Sequence, residues 1–454
     1  YKAGDLVINM AQAKRGYANH VLYKGSNEST FAAMYAELLV NFPQMRGFNS
    51  YSIFNDGLFD NKLGEVTHTQ APRSKSENKP YFYVKNNSLE AIQAINDAIQ
   101  KGEKVYMAPD GYYIEKATFD RLIKDYALVA KGICAKPMGD ALKPIKVYAP
   151  GNPNADLGFP SKTNAYWALK QMGFQVVETA EEADAFVFDG DDYDPALLGK
   201  KPSIFLGGDA LRYLEESDLL KGLEVSSGRR SRYEGLLKAV VNKASGLASG
   251  YEDKDLIYSN SSAWLSKLPE GFLPILKTSA GHDFFIAGWW PNNDDVRAEI
   301  MAADGLYEGQ PVFLFAGNPL NKRHPHYFYR WVANALWRGT YSSLEEVDCP
   351  NEEVPVDPEL PDNDVEPSVP ELPEVELPEE PEVPETPETP EVEEPIEIEE
   401  EAPVAPIVAE AKTQSANVLP ATGEADNMAA LYVLAAVALA GGLVFTYRKQ
   451  GQEN

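Results

Sequence analysis

Ser203-Ile204-Phe205-Leu206 runs directly into Gly207-Gly208-Asp209-Ala210. A short apolar run closed by glycines and an Asp reads as a buried strand turning into a helix, with Asp209 as its cap. The same alternation extends to both sides. Upstream, Ile145 to Ala149 is a buried strand followed by a Gly/Pro/Asn loop, and Thr163 to Met172 is a helix. Phe174 to Val177 and Ala185 to Phe188 are short apolar strands. Downstream, Phe284 to Trp289 and Pro311 to Phe315 are strands, and a last helix runs from about Pro325 to Trp337. Such alternation predicts an α/β domain over residues 143–340 with a doubly wound, mainly parallel sheet. Sheets of this kind place ligand sites beyond the C-terminal ends of their strands.

Residues 81–142 predict a smaller α+β unit. Tyr81 to Val84 is strand-like, and Ser88 caps a helix whose apolar residues are Leu89, Ile92, Ile95 and Ile99. Lys104 to Met107 and Tyr112 to Ile114 are strands about the turn Pro109-Asp110-Gly111, and Thr118 opens a second helix. Residues 1–80 read as a junction region. Asp5 to Met10 has a strand pattern, and Asn27 to Phe42 has helical spacing ended by Pro43. Asn49 to Gly64 suggests packed loops, and Ala71 to Pro80 a surface linker.

The chain has 454 residues and a net charge of −28. The charge is unevenly placed, with 23 carboxylates and no Lys or Arg between Pro350 and Glu410. The acidity therefore belongs to a tail and says nothing of a substrate, and no basic stripe suggests a nucleic-acid partner. Residues 350–418 predict an acidic, Pro-rich, polyproline-like spacer that is disordered because it cannot bury a core. The two cysteines, Cys134 and Cys349, could pair in an oxidising exterior; their separation favours unpaired thiols.

Residues 419–454 begin Leu419-Pro420-Ala421-Thr422-Gly423. From Met428 to Tyr447 there is no charged residue, and Arg448-Lys449 follows. Twenty helical residues rise about 30 Å, enough to cross a bilayer's hydrocarbon core, so 428–447 predicts a transmembrane helix with Arg448 and Lys449 as its cytoplasmic stop. The pentapeptide, span and basic tail together resemble the wall-sorting signal of Gram-positive surface proteins. The resemblance implies a sortase that cuts between Thr422 and Gly423, and covalent transfer of Thr422 to the peptidoglycan cross-bridge. It also implies a membrane-held stage before sorting and a secreted, wall-anchored product. Because export is required and the sequence begins at Tyr1, a longer precursor is expected.

Gly4 to Gly16, Lys104 to Gly111, Lys146 to Val177, and Phe313 to Arg330 are together similar to the region behind the catalytic domain of large secreted bacterial zinc carboxypeptidases of the carboxypeptidase A type. Within it, residues 143–340 resemble a class I glutamine-amidotransferase-like, flavodoxin-like domain. Neither resemblance carries its chemistry into this sequence. Zinc peptidases need a His-x-x-Glu pair and a distant His. Of His20, His68, His282, His324 and His326, none has Glu three residues on. Zinc is thus expected only in a domain upstream of Tyr1, and no cofactor in this chain. Amidotransferases need a Cys at the strand-to-helix elbow, where Gly207 and Gly208 stand here.

Four further groups have a bland and a functional reading. His324 and His326 would share a face on a strand and chelate a metal, or cap a helix start at Pro325. Gly207-Gly208-Asp209 is an anion cradle or a tight turn. Asp189 to Asp194 is a weak calcium loop or a solvated acidic turn. Trp289 and Trp290 pack in a core or bind sugar or peptide. The expectation is a sortase-anchored surface protein whose folded part is the non-catalytic accessory region of an extracellular zinc carboxypeptidase. The alternative is an adhesin or ligand-binding protein with no hydrolytic activity, and an active amidotransferase-type hydrolase is disfavoured by the missing nucleophile.

Overall fold

In the computed structural model, residues 5–349 are described except 31–38, 55–57, 60–62, 67–70, 72, 151–163 and 228–232. The predicted spacer, sorting signal and membrane span lie outside them. The predicted strand at Asp5 to Met10 does not form, and Leu6, Val7, Ile8 and Met10 are exposed. Two short helices follow, α1 (Arg15–Leu22) and α2 (Phe42–Arg46). Pro43 opens α2 instead of ending a preceding helix, because the first turn needs no amide from it. Half of the predicted 27–42 helix, residues 31–38, lies outside the described residues, and Asn27 bridges to Gly288.

Next come β1 (Tyr81–Lys85), α3 (Leu89–Gln100), β2 (Val105–Ala108), β3 (Gly111–Glu115), α4 (Lys116–Leu122) and β4 (Ala130–Ile133). Phe82 and Val84 are buried while Tyr81 and Tyr83 are half-buried, the alternation expected of a strand with one covered face. The four strands form an antiparallel sheet in the order β2-β3-β1-β4. Ser88 caps α3 by accepting from the Ala91 amide at 3.1 Å. The second helix begins at Lys116, before the predicted Thr118, which is buried inside it.

After β5 (Ala135–Met138) the chain enters a large sheet: β6 (Lys146–Tyr148), α5 (Asn164–Gln171), β7 (Gln175–Val177), β8 (Ala185–Phe188), β9 (Ser203–Leu206) and α6 (Gly207–Glu216). Then come β10 (Glu224–Ser227), β11 (Glu234–Val241), β12 (Lys254–Ser259), β13 (Ala263–Lys267), β14 (Leu273–Thr278), β15 (Phe285–Trp289), β16 (Ile300–Tyr307), β17 (Gln310–Phe315), α7 (Tyr329–Trp337) and β18 (Ser343–Glu346). Its parallel half runs β7-β6-β8-β9-β17 in space, with every neighbouring pair parallel. In chain order this is 2-1-3-4-5, the flavodoxin-like winding.

The other half is antiparallel. β16 turns back on β17 through Glu308-Gly309, both at positive φ as a two-residue hairpin turn requires. The path continues through β14, β11 and β12, with β15 paired to β11 and β10 and β13 branching from β16. The alternating pattern of the sequence predicts the parallel half and does not anticipate this extension.

All nine residues of α7 are buried, including polar Arg330 and Asn334, so this helix lies inside the body. Trp331 stacks on Tyr251 at 4.2 Å. Arg330 sits between the Tyr251 and Tyr327 rings, 4.1 and 4.0 Å from their centroids. It donates to the carbonyls of Asn86 at 2.9 Å, Tyr327 at 3.0 Å, and Gly250. One side chain thus ties the end of β1, the loop before β12 and α7 together.

The unpaired-thiol expectation is overturned. β18 pairs antiparallel with β5, with Glu346 opposite Ala135, and this brings Cys134 and Cys349 to a Cα separation of 5.3 Å in a disulfide.

Candidate functional site at the carboxyl ends of the parallel strands

The winding of the parallel half reverses between β6 and β8, and the general rule puts a crevice at the carboxyl ends of these strands. Residues 151–163, which follow β6, lie outside the described residues. Asp189 stands at the end of β8. Its carboxylate accepts from the Ala165 amide in the first turn of α5 at 3.0 Å and from Asn318 Nδ2 at 3.4 Å. Burial pushes the carboxyl up to about 7, against the two hydrogen bonds, and the Asp192 carboxylate pushes the same way.

At the end of β9 the chain enters α6 at Gly207, whose φ of 87° suits glycine. A Cβ on Gly207 would lie 3.6 Å from the Asn318 Cβ, so space exists for a side chain, but the elbow carries none. The helix begins at Gly207, flanked by Leu206, not at a cap on Asp209; Asp209 sits in the first turn and pairs with Arg212 at 2.8 Å. The Gly208 amide donates to Ser261 Oγ at 3.1 Å, and that hydroxyl donates to the Ala316 carbonyl at 2.5 Å. Asn318 receives at its side chain the Leu320 amide at 2.9 Å and gives its own amide to Asn260 at 3.1 Å. Asn164 accepts from the Lys322 amide at 3.1 Å. These groups fix three loops against one another.

The chemistry of this corner is limited by its members. Ser261 is the hydroxyl nearest the elbow amide, but its proton goes to a carbonyl, which is no base. Beside it, Tyr258 donates to Glu234 and accepts from Asn321 Nδ2 at 2.8 Å. Burial, then the Glu234 charge, hold this phenol well above its ordinary value, so it stays protonated.

The other sequence candidates separate. His324 faces the Val40 carbonyl, 2.6 Å from Nε2, and lies against Phe42. His326 faces Arg46, whose Nη1 is 2.8 Å from Nε2. Burial, then Arg46, push His326 down to about 4. The two rings serve different partners and share no ligand point. Asp194 caps a short 3-10 turn at Ala196, and Tyr193 stacks on Phe188 at 4.4 Å and donates to the Ala210 carbonyl at 2.9 Å. That stitches the acidic turn to the sheet. Trp290 is buried, and Trp289 meets Tyr233 edge-on at 4.9 Å, so both pack. Among the described residues no three His, Cys, Asp or Glu side chains converge as metal donors, so these residues do not fit a zinc site. No described helix is long and apolar enough to cross a membrane. Leu419, Pro420, Ala421, Thr422, Gly423, Arg448 and Lys449 lie outside the described residues.

Asn318, Asn164 and Ser261 were not singled out by the sequence, and Asp189 was read only as part of an acidic turn or weak calcium loop, although a polar residue just after an apolar strand is the signal for such a cluster.

Residues 411–453 match the LPXTG cell wall anchor motif. The chain is therefore a secreted protein of a Gram-positive bacterium, processed by sortase and held covalently by peptidoglycan. No curated protein matches the chain. Among solved structures it is similar to a protein described as a GMP synthase component from Thermoplasma acidophilum, with 12% identity over 44% of this chain and 94% of that one, TM-score 0.30. A glutamine amidotransferase from Thermotoga maritima shows 11% identity over 43% and 95%, TM-score 0.27. The β-galactosidase from Bacillus circulans shows 8% identity over 42% and 30%, TM-score 0.26. Likeness this distant says nothing of activity.

Proposed function

We propose that the folded body is a non-catalytic accessory module of a wall-anchored protein whose full length is an extracellular zinc carboxypeptidase. The observation that carries the non-catalytic part is Gly207. It occupies the strand-to-helix elbow with room beside it, yet offers no nucleophile, and its neighbours spend their protons on each other and on carbonyls. The carboxypeptidase part rests on the resemblance of the segments between Gly4 and Arg330. His324 and His326 serve as packing and hydrogen-bonding groups, so the metal would be held by residues outside this sequence, and no hydrolytic step is assigned to the body.

The test uses two preparations. The 454-residue chain supplied with zinc is expected to release no amino acid from peptides and no ammonia from glutamine. Turnover of either would overturn the accessory role. Protein freed from native walls by muramidase is expected to trim C-terminal residues from peptides and to stop on adding a chelator. Wall-released protein that binds ligands but never trims them would favour an adhesin instead.

A further inference from the structure

We infer that the Cys134–Cys349 disulfide is a force bypass, which carries tension between the wall and the N-terminal side of the chain around the large sheet. A protein fixed at Thr422 is loaded whenever its far side is pulled. Load from the wall enters the described body at Cys349. From there it has two routes: along β18 into the large sheet, or across the disulfide to Cys134.

The first route is weak. Every residue of β18 is exposed, and the strand pairs only with β5 in a two-stranded ribbon. Such a ribbon is marginal on its own. Its register puts Glu346 opposite Ala135 and Ser343 opposite Met138. The end of β18 nearest the wall and the start of β5 therefore lie at the same end of the ladder. Pulling them apart peels the hydrogen bonds one at a time instead of loading them together.

The second route is covalent and stands at that same end. The cysteine Cα atoms are 5.3 Å apart, and the Val347 amide donates to the Cys134 carbonyl at 3.1 Å beside them. Tension thus crosses from Cys349 to Cys134 before the ladder is loaded. It continues through Ile133 into β4, which pairs with β1 across Tyr81. Residues 135–348, with the whole large sheet and the corner around Asp189, sit in a closed loop off the covalent path, and only non-covalent contacts such as Asn27 with Gly288 and Val40 with His324 join them to the pulled N-terminal side. A disulfide persists in the oxidising exterior where the anchor places this chain.

The experiment pulls the full chain by handles at its two ends in a force spectrometer, with and without a thiol reductant. The loop spans a sequence separation of 215 residues. At about 3.3–3.6 Å per residue its hidden contour is roughly 71–77 nm. The oxidised chain is expected to extend fully without that length, and reductant added under load to release it. The Cys134→Ala/Cys349→Ala chain is expected to release it from the start; should that variant not fold, the reductant arm on the natural chain reads the same quantity. Equal contour lengths with and without reductant would overturn the bypass. So would alkylation of both cysteines in native, unreduced protein.

Discussion

Arg330 shows what one buried side chain can be asked to hold. It is sandwiched between two tyrosine rings and donates to three carbonyls from separate segments. Arg330→Met keeps much of the apolar bulk but strands those carbonyls. A buried acceptor left unpaired costs about 1–3 kcal/mol, so a loss of about 3 kcal/mol or more is expected in urea unfolding. A loss below about 1 kcal/mol would mean the carbonyls find other partners. Two titrating residues pull stability in opposite directions. Asp189 has its folded value raised to about 7, so its contribution is present below the ordinary carboxylate range and is lost as pH rises through 7. His326 has its folded value lowered to about 4, so its contribution is present above the ordinary imidazole value and is lost as pH falls toward 4. Asp189→Asn should therefore gain on the natural chain between about pH 4 and 7, by at most about 4 kcal/mol. His326→Gln should gain on it below about pH 6.5. Melting temperatures at three pH values check both, and curves parallel to the natural chain's would refute the assignments.

At the scale of elements, Ser88 is a position where local chemistry alone decides a helix start. Its side chain takes the Ala91 amide, so Ser88→Ala is expected to cost about 1 kcal/mol, read from the urea midpoint. This cap was legible in the sequence, and so were the strands of the parallel half. Ala185 to Phe188 and Ser203 to Leu206 are buried on both faces and appear as unbroken apolar runs closed by turn residues. Of the antiparallel half, only β15 among the strands beyond β17 was read, as Phe284 to Trp289, and the rest was not legible for a physical reason. β11 pairs on both sides and alternates imperfectly, with Gly235, Leu236 and Leu237 all buried in succession. It shows neither a clean period of two nor a closed apolar run. β12 is exposed or half-buried over its first three residues and buried over its last three, so it too lacks a period of two. Their partners lie up to dozens of residues away, which local propensity does not encode. The site divides the same way. The glycine elbow could be read from Gly207-Gly208, whereas Asp189, Asn318 and Ser261 meet only once the strands are laid side by side. The cysteine pair also needed tertiary knowledge, since Cys134 and Cys349 are 215 residues apart in sequence.

For the whole molecule, the chemistry of attachment lies in the tail. The match to the anchor motif spans 411–453 and makes one peptide bond the point of attachment. Sortase transfer needs the Thr carbonyl as an acyl donor. Thr422→Ala removes the hydroxyl and β-branched bulk next to the scissile bond and leaves the apolar run from Met428 to Tyr447 intact. The variant is expected to leave the muramidase-released wall fraction and collect, uncut, in the membrane fraction or the medium. Its melting temperature is expected to match that of the natural chain. Mass analysis of the released natural chain should show Thr422 as the last residue before the cross-bridge peptide. If the variant stays in the wall fraction with its last residues still present, attachment runs through some other bond, and the load would no longer enter the body by way of Cys349.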